Sequence, residues 1–156
     1  MYVIASVGSI LGGYISGRLI SSGWPVYKAR KTSMLIFAIC VVPVFFVQYA
    51  TNIWMAVALV SLAASAHQAW SANIFTTASD MFPKKAVSSV VGVGGMAGSI
   101  GGFLFPLFIG TILDHYKVLG NIQTGYNIIF TICAFAYLLA WLIMHLLAPK
   151  MQQVQV

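Results

Sequence analysis

IWMAVALVSLAASAHQAWSANIFTTA, residues 53–78, is the stretch whose reading decides the fold. It carries no Asp, Glu, Lys or Arg, and apolar residues dominate its first half. Crossing about 30 Å of hydrocarbon takes about 20 mostly apolar residues in a helix. The stretch is long enough, so it reads as a transmembrane helix. Its second half nevertheless holds His67, Gln68, Trp70, Ser71, Asn73 and Thr77. With a helix start near Ile53, His67 lies about 21 Å along the axis at 1.5 Å per residue, close to the bilayer midplane.

The rest of the chain agrees with a membrane setting. Of 156 residues, 60% are hydrophobic and 6% charged, and mean hydropathy is +0.93. A soluble domain carries about 25% charged residues. This chain could not cover a water-facing surface and is an integral membrane protein. Its net charge of +6 is no sign of a nucleic-acid partner, because the basic residues are scattered between apolar runs and act as topology markers. Cys40 and Cys133 lie inside apolar runs without CxxC spacing, so they read as small buried hydrophobes rather than a metal site or a disulfide. No cofactor is expected. No cleavable signal peptide is visible.

Four further segments are long and apolar enough to cross the bilayer: residues 2–20, 33–49, 87–113 and 126–147. The fold class is therefore all-α, a polytopic bundle of five transmembrane helices. Arg18, Lys28, Arg30 and Lys31 fall in the first connection, Lys84 and Lys85 in the third beside Asp80, and Lys150 in the tail. The second connection is uncharged, and the fourth holds Lys117 with Asp114 and His115. The basic excess marks the cytoplasmic side, which puts the C-terminus inside and the N-terminus outside. An odd number of spans with an outside N-terminus and no internal repeat suggests a piece of a longer, repeat-built protein.

Glycine spacing points to helix packing. Gly94, Gly98, Gly102, Pro106 and Gly110 form one stripe at four-residue spacing, and Gly8 with Gly12, then Gly13 with Gly17, repeat that spacing. Small residues let another backbone approach closely. Such stripes serve static packing or a sliding contact in a moving carrier. Pro43 and Pro106 are expected to loosen their helices.

On a helix His67, Ser71 and Ile74 share one face, and Trp70, Asn73 and Thr77 form a neighbouring stripe. Neither faces lipid cheaply, so both are expected to point into protein or a watery cavity. Each residue also has a plain structural role open to it: His67 bonding a neighbouring helix, Trp70 packing, Ser71 and Thr77 bonding back to their own helix. Asn73 needs partners for two donors and an acceptor. An imidazole, an indole and two amides at midmembrane depth suit a polyhydroxylated ligand, because amides and imidazoles bond hydroxyls and an indole packs on the apolar side of a sugar ring. No carboxylate lies deep in any span, since Asp80 and Asp114 sit at helix ends. Groups that neutralise an anion or relay a proton are then expected outside these residues, with His67 the one titratable candidate inside them.

Residues 66–106, AHQAWSANIFTTASDMFPKKAVSSVVGVGGMAGSIGGFLFP, resemble the tenth and eleventh helices of hexuronate transporters, in the anion:cation symporter family of the major facilitator superfamily. Residues 12–31, GGYISGRLISSGWPVYKARK, resemble that family's connection between helices eight and nine. The superfamily's acidic residue after the small-residue turn is replaced here by Gly17, and Arg18, Lys28, Arg30 and Lys31 are read as topology charges. The resemblance covers nearly the whole chain as helices eight to twelve of a twelve-helix fold. It implies a C-terminal fragment of a carrier that moves glucuronate, galacturonate or a related sugar-acid anion with protons by alternating access, in a bacterial inner membrane. It implies that His67, Gln68, Trp70, Ser71 and Asn73 bind substrate, with Ser6, Ser9 and Ser99 as weaker candidates. The implied partners are the sugar acid, a proton, the lipid bilayer and the missing N-terminal half of the transporter.

Two rival classes make different demands. A small non-transporting scaffold or assembly protein would use the glycine stripes to pack on a partner and would tolerate loss of the midmembrane polar residues. An intramembrane enzyme needs a nucleophile, base or metal set within mutual reach. His67, His115 and His145 fall in different segments with no nearby carboxylate, so no catalytic residue is assigned.

Overall fold

The computed structural model describes residues 2–150. Among them the architecture is all-helical. The order is α1 (Tyr2–Ser21), α2 (Val26–Val41) continuing into a 3₁₀ segment (Val42–Tyr49), α3 (Ile53–Met81), α4 (Lys84–Val118) and α5 (Ile122–Leu147). Five spans result, counting α2 with its 3₁₀ continuation as one.

The helices run further than apolar composition alone suggests. The second span begins at Val26 rather than Ser33, so Lys28, Arg30 and Lys31 lie in the first turns of a helix and not in a loop. Likewise α4 takes in Lys84 and Lys85 at one end and Asp114, His115 and Lys117 at the other. Lys and Arg are good helix formers, and a polar helix end can extend past the hydrocarbon without penalty. Connections consequently shrink to tight turns. After α1 the chain reverses at Gly23, whose φ of +89° is open to glycine without strain, and Pro25 starts the next helix. Asn52 caps α3 by accepting a hydrogen bond from the Trp54 N–H at 2.9 Å.

The two prolines act differently. At Pro43 the missing N–H and the ring clash end the α-helical ladder, and the chain tightens into 3₁₀ geometry for 8 residues. Pro106 sits inside α4, which continues as α-helix across 35 residues.

The core lies where α2, α3 and α5 meet. Phe37, Val41, Val44, Ala66, Ala69 and Ala134 form one buried cluster, and Met34, Ala38 and Trp70 another. Alanines dominate because the helices approach closely. Between α1 and α3 the approach is closer still. A Cβ on Gly12 would sit 2.7 Å from the Ala69 Cα, and one on Gly8 would fall on the Ser65 carbonyl. The expected small-residue packing surface of α1 is thus Gly8 and Gly12, while Gly13 and Gly17 meet nothing within 4 Å. The α4 stripe behaves unlike α1: no residue of α4 is buried, and Gly94, Gly98, Gly102 and Gly110 have nothing against them. Within these residues that stripe is an open face rather than a packed one.

Candidate functional site

α3 is the central helix, and its 3.6-residue period sorts its polar residues onto two sides. Ala66, Ala69, Trp70, Asn73 and Thr77 form the buried side. His67, Gln68, Ile74 and Phe75 are exposed, and Ser71 is half-buried at the margin. The five residues singled out from sequence are therefore not gathered into one cluster.

Asn73 is 1% exposed and ties α3 to α1. Its Nδ2 donates to the Gly12 carbonyl at 3.0 Å and to the Ala69 carbonyl at 2.9 Å, while its Oδ1 has no partner among the described residues. Thr77 donates to the Asn73 carbonyl at 2.8 Å, the back-bonding expected of a threonine in a membrane helix. Trp70 is buried against Met34 and Ala38 of α2 and meets the Tyr137 ring of α5 edge-on, with centroids 5.4 Å apart. That Tyr137 hydroxyl is hydrogen-bonded to His67 Nδ1, and the two rings are also edge-on at 6.0 Å. So His67 bonds a neighbouring helix through one nitrogen while its residue stays exposed. Gln68 and Ser71 lie beside it with no hydrogen bond to a described residue. Ser6 and Ser9 are exposed on α1, and the Ser99 hydroxyl bonds back to Gly95 at 3.0 Å.

The charged end holds more organisation than topology marking. Arg30 Nε donates to Asp80 Oδ2 at 3.0 Å, and its Nη1 donates to the Ser16 hydroxyl at 2.9 Å, which joins α1, α2 and the end of α3. Lys31 is 5% exposed and donates to the carbonyls of Ala148 (2.5 Å) and Pro149 (3.0 Å) at the end of α5. The Trp141 indole N–H returns a hydrogen bond to the Lys31 carbonyl at 2.8 Å. An ammonium group on the orphan carbonyls of a helix end satisfies them and complements the helix dipole. Arg30 and Lys31 are therefore inter-helix ties as well as charges at one end of the bundle. A cavity of about 230 Å³ lies between Val26, Tyr27, Arg30 and Asp80, at this end and not beside His67.

Sequence reasoning missed Tyr137. Nothing distinguishes it from the other aromatics of α5 until the fold sets its hydroxyl against α3.

The hexuronate transporter of Escherichia coli K12 is 29% identical over 113 residues, which is 72% of this chain and 26% of the transporter. The hexuronate transporter of Escherichia coli O157:H7 matches to the same extent. The chain resembles the hexuronate transporters. A D-galactonate transporter of Escherichia coli O6:H1 is 24% identical over 115 residues, or 74% of this chain and 26% of that protein. The chain spans about a quarter of the length of the curated relatives it matches. These relatives are transporters and not enzymes, and with five helices of spanning length the chain is a multi-pass membrane protein. No family profile matches the chain, and no solved structure matches it.

Proposed function

We propose that these residues form part of the C-terminal half of a carrier for a hexuronate or related sugar-acid anion, working by proton symport in a bacterial inner membrane. The observation that carries the reading is the open polar strip on α3. His67, Gln68 and Ser71 lie near midmembrane on the more open side of α3, His67 and Gln68 exposed and Ser71 half-buried, in a chain otherwise poor in polar residues. Polar side chains at that depth are costly against lipid and belong against protein or a watery cavity. The similarity to sugar-acid transporters gives that cavity its ligand class.

In this mechanism the strip supplies hydroxyl-reading groups, and Trp70 contributes an indole edge beside Tyr137. Asn73 holds α1 against α3 behind the strip. The substrate carboxylate and the proton are handled by groups beyond these residues, because Asp80 and Asp114 lie at helix ends. The rest of the carrier covers the open glycine face of α4, and the two halves rock about the bound substrate. The basic end of the helices faces the cytoplasm.

Uptake of labelled glucuronate and galacturonate tests this, using the complete carrier containing these residues in proteoliposomes. His67→Ala and Gln68→Ala are expected to raise KM about tenfold each, the equivalent of about 1.4 kcal/mol. Unchanged KM for both substrates in both variants refutes the strip as a substrate site, and absence of uptake by the complete native protein favours the non-transporting scaffold class.

A further inference from the structure

Tyr137 shares the candidate site with His67, yet it belongs to another helix. We infer that Tyr137 is a positioning residue that locks the His67 ring as its Nε2–H tautomer, so that His67 presents a hydrogen-bond donor to an acceptor oxygen of the ligand. The inference rests on the sugar-acid reading for its ligand and on the structure for its geometry.

A single hydrogen bond joins the two side chains, between the Tyr137 hydroxyl and His67 Nδ1. A neutral imidazole has one N–H and one bare nitrogen, and its partners decide which is which. If Nδ1 carried the proton, the phenol oxygen would accept it. The phenol's own proton would then need an acceptor, and the Tyr137 hydroxyl bonds no other described residue. Tyr137 is half-buried on a membrane helix, where an unpaired hydroxyl costs about 1–3 kcal/mol. If the phenol donates instead, its proton is paired and Nδ1 is the bare nitrogen. The ring proton then resides on Nε2.

The remaining geometry says where that donor is spent. Nδ1 is taken by α5, and the ring makes no second hydrogen bond to a described residue although His67 is exposed. Tyr137 also braces the ring by an edge-on contact at 71° and touches Trp70 in the same way at 78°. One side chain of α5 therefore orients both rings of the candidate site. The free Nε2–H matches a hydroxyl oxygen, the group in which a sugar acid is rich.

The test has a structural and a functional arm. The first is ¹⁵N NMR of the detergent-solubilised carrier with labelled histidine, recorded above the titration range of imidazole, with His67→Gln assigning the signal. The second is the KM and turnover of glucuronate uptake in proteoliposomes. The native ring is expected as the Nε2–H tautomer. Tyr137→Phe is expected to lose that preference and raise KM about tenfold with turnover within about twofold, as removal of about 1.4 kcal/mol of binding would do. A native Nδ1–H ring overturns the inference. So does a Tyr137→Phe ring that changes tautomer without any change in KM while His67→Ala raises KM, an outcome that leaves the sugar-acid site standing. If the tautomer behaves as expected but neither His67→Ala nor Tyr137→Phe alters KM, the assignment of the α3 strip as the sugar-acid site fails and takes the inference with it.

Discussion

Gly12 offers the sharpest test of the packing that positions the site. Replacing it by alanine puts a Cβ 2.7 Å from both the Cα and the carbonyl oxygen of Ala69. Carbon atoms rest about 3.5–4.0 Å apart, so α1 must retreat from α3 by about 1 Å. That retreat stretches the Asn73-to-Gly12 hydrogen bond from 3.0 Å to a length at which it no longer holds. Overpacking of this kind costs about 1–3 kcal/mol, and a lost hydrogen bond between membrane helices about 1 kcal/mol more. Gly13→Ala is the matched control, because nothing lies within 4 Å of its added Cβ. Both variants share the gain in helix propensity of alanine over glycine, so their difference isolates the packing term, about 2–4 kcal/mol. For a chain of this size, each kcal/mol moves the melting midpoint by about 2–4 °C. Gly12→Ala should therefore melt about 4–16 °C below Gly13→Ala in mild detergent. A thiol-reactive dye can follow the melting, since Cys40 and Cys133 pack against the same cluster as Ala69 and become accessible as it opens. Equal melting of the two variants would refute the close approach of α1 to α3.

Three further outcomes are expected. In a double-mutant cycle of Arg30→Gln and Asp80→Asn, melting should give a coupling of about 1 kcal/mol or less that shrinks in high salt, because the Asp80 carboxylate is 35% exposed. Lys31→Met keeps the aliphatic stem but removes the ammonium from Ala148 and Pro149. The end of α5 should then be cut faster by protease, with a stability loss of about 1.5–3 kcal/mol as for hydrogen bonds to a charged group. Cysteine scanning checks the orientation: Lys85→Cys should react with an impermeant maleimide from the cytoplasmic face, and Lys117→Cys from the opposite face.

The membrane setting, the five spans and their helical nature were legible because each rests on composition counted over a window. Apolar content over about 20 residues needs no knowledge of neighbours. Helix ends were less legible. Lys28, Arg30 and Lys31 look like loop residues when only hydropathy is counted, yet all three are helical, and Asp80, Ser16 and carbonyls at the end of α5 receive Arg30 and Lys31. Period alone separated the His67 and Ser71 face from the Trp70, Asn73 and Thr77 stripe, and the structure keeps that division.

Spacing along one helix fixes which residues share a face, but it cannot say what each face meets. That decision belongs to the tertiary structure. It turned the α3 stripe containing Asn73 onto Gly12, left His67 and Gln68 exposed, and separated the α1 glycines that pack from the α4 glycines that do not. It also brought Tyr137 to His67 across a sequence separation of 70 residues. Such contacts depend on the relative placement of whole helices, and no local pattern encodes them.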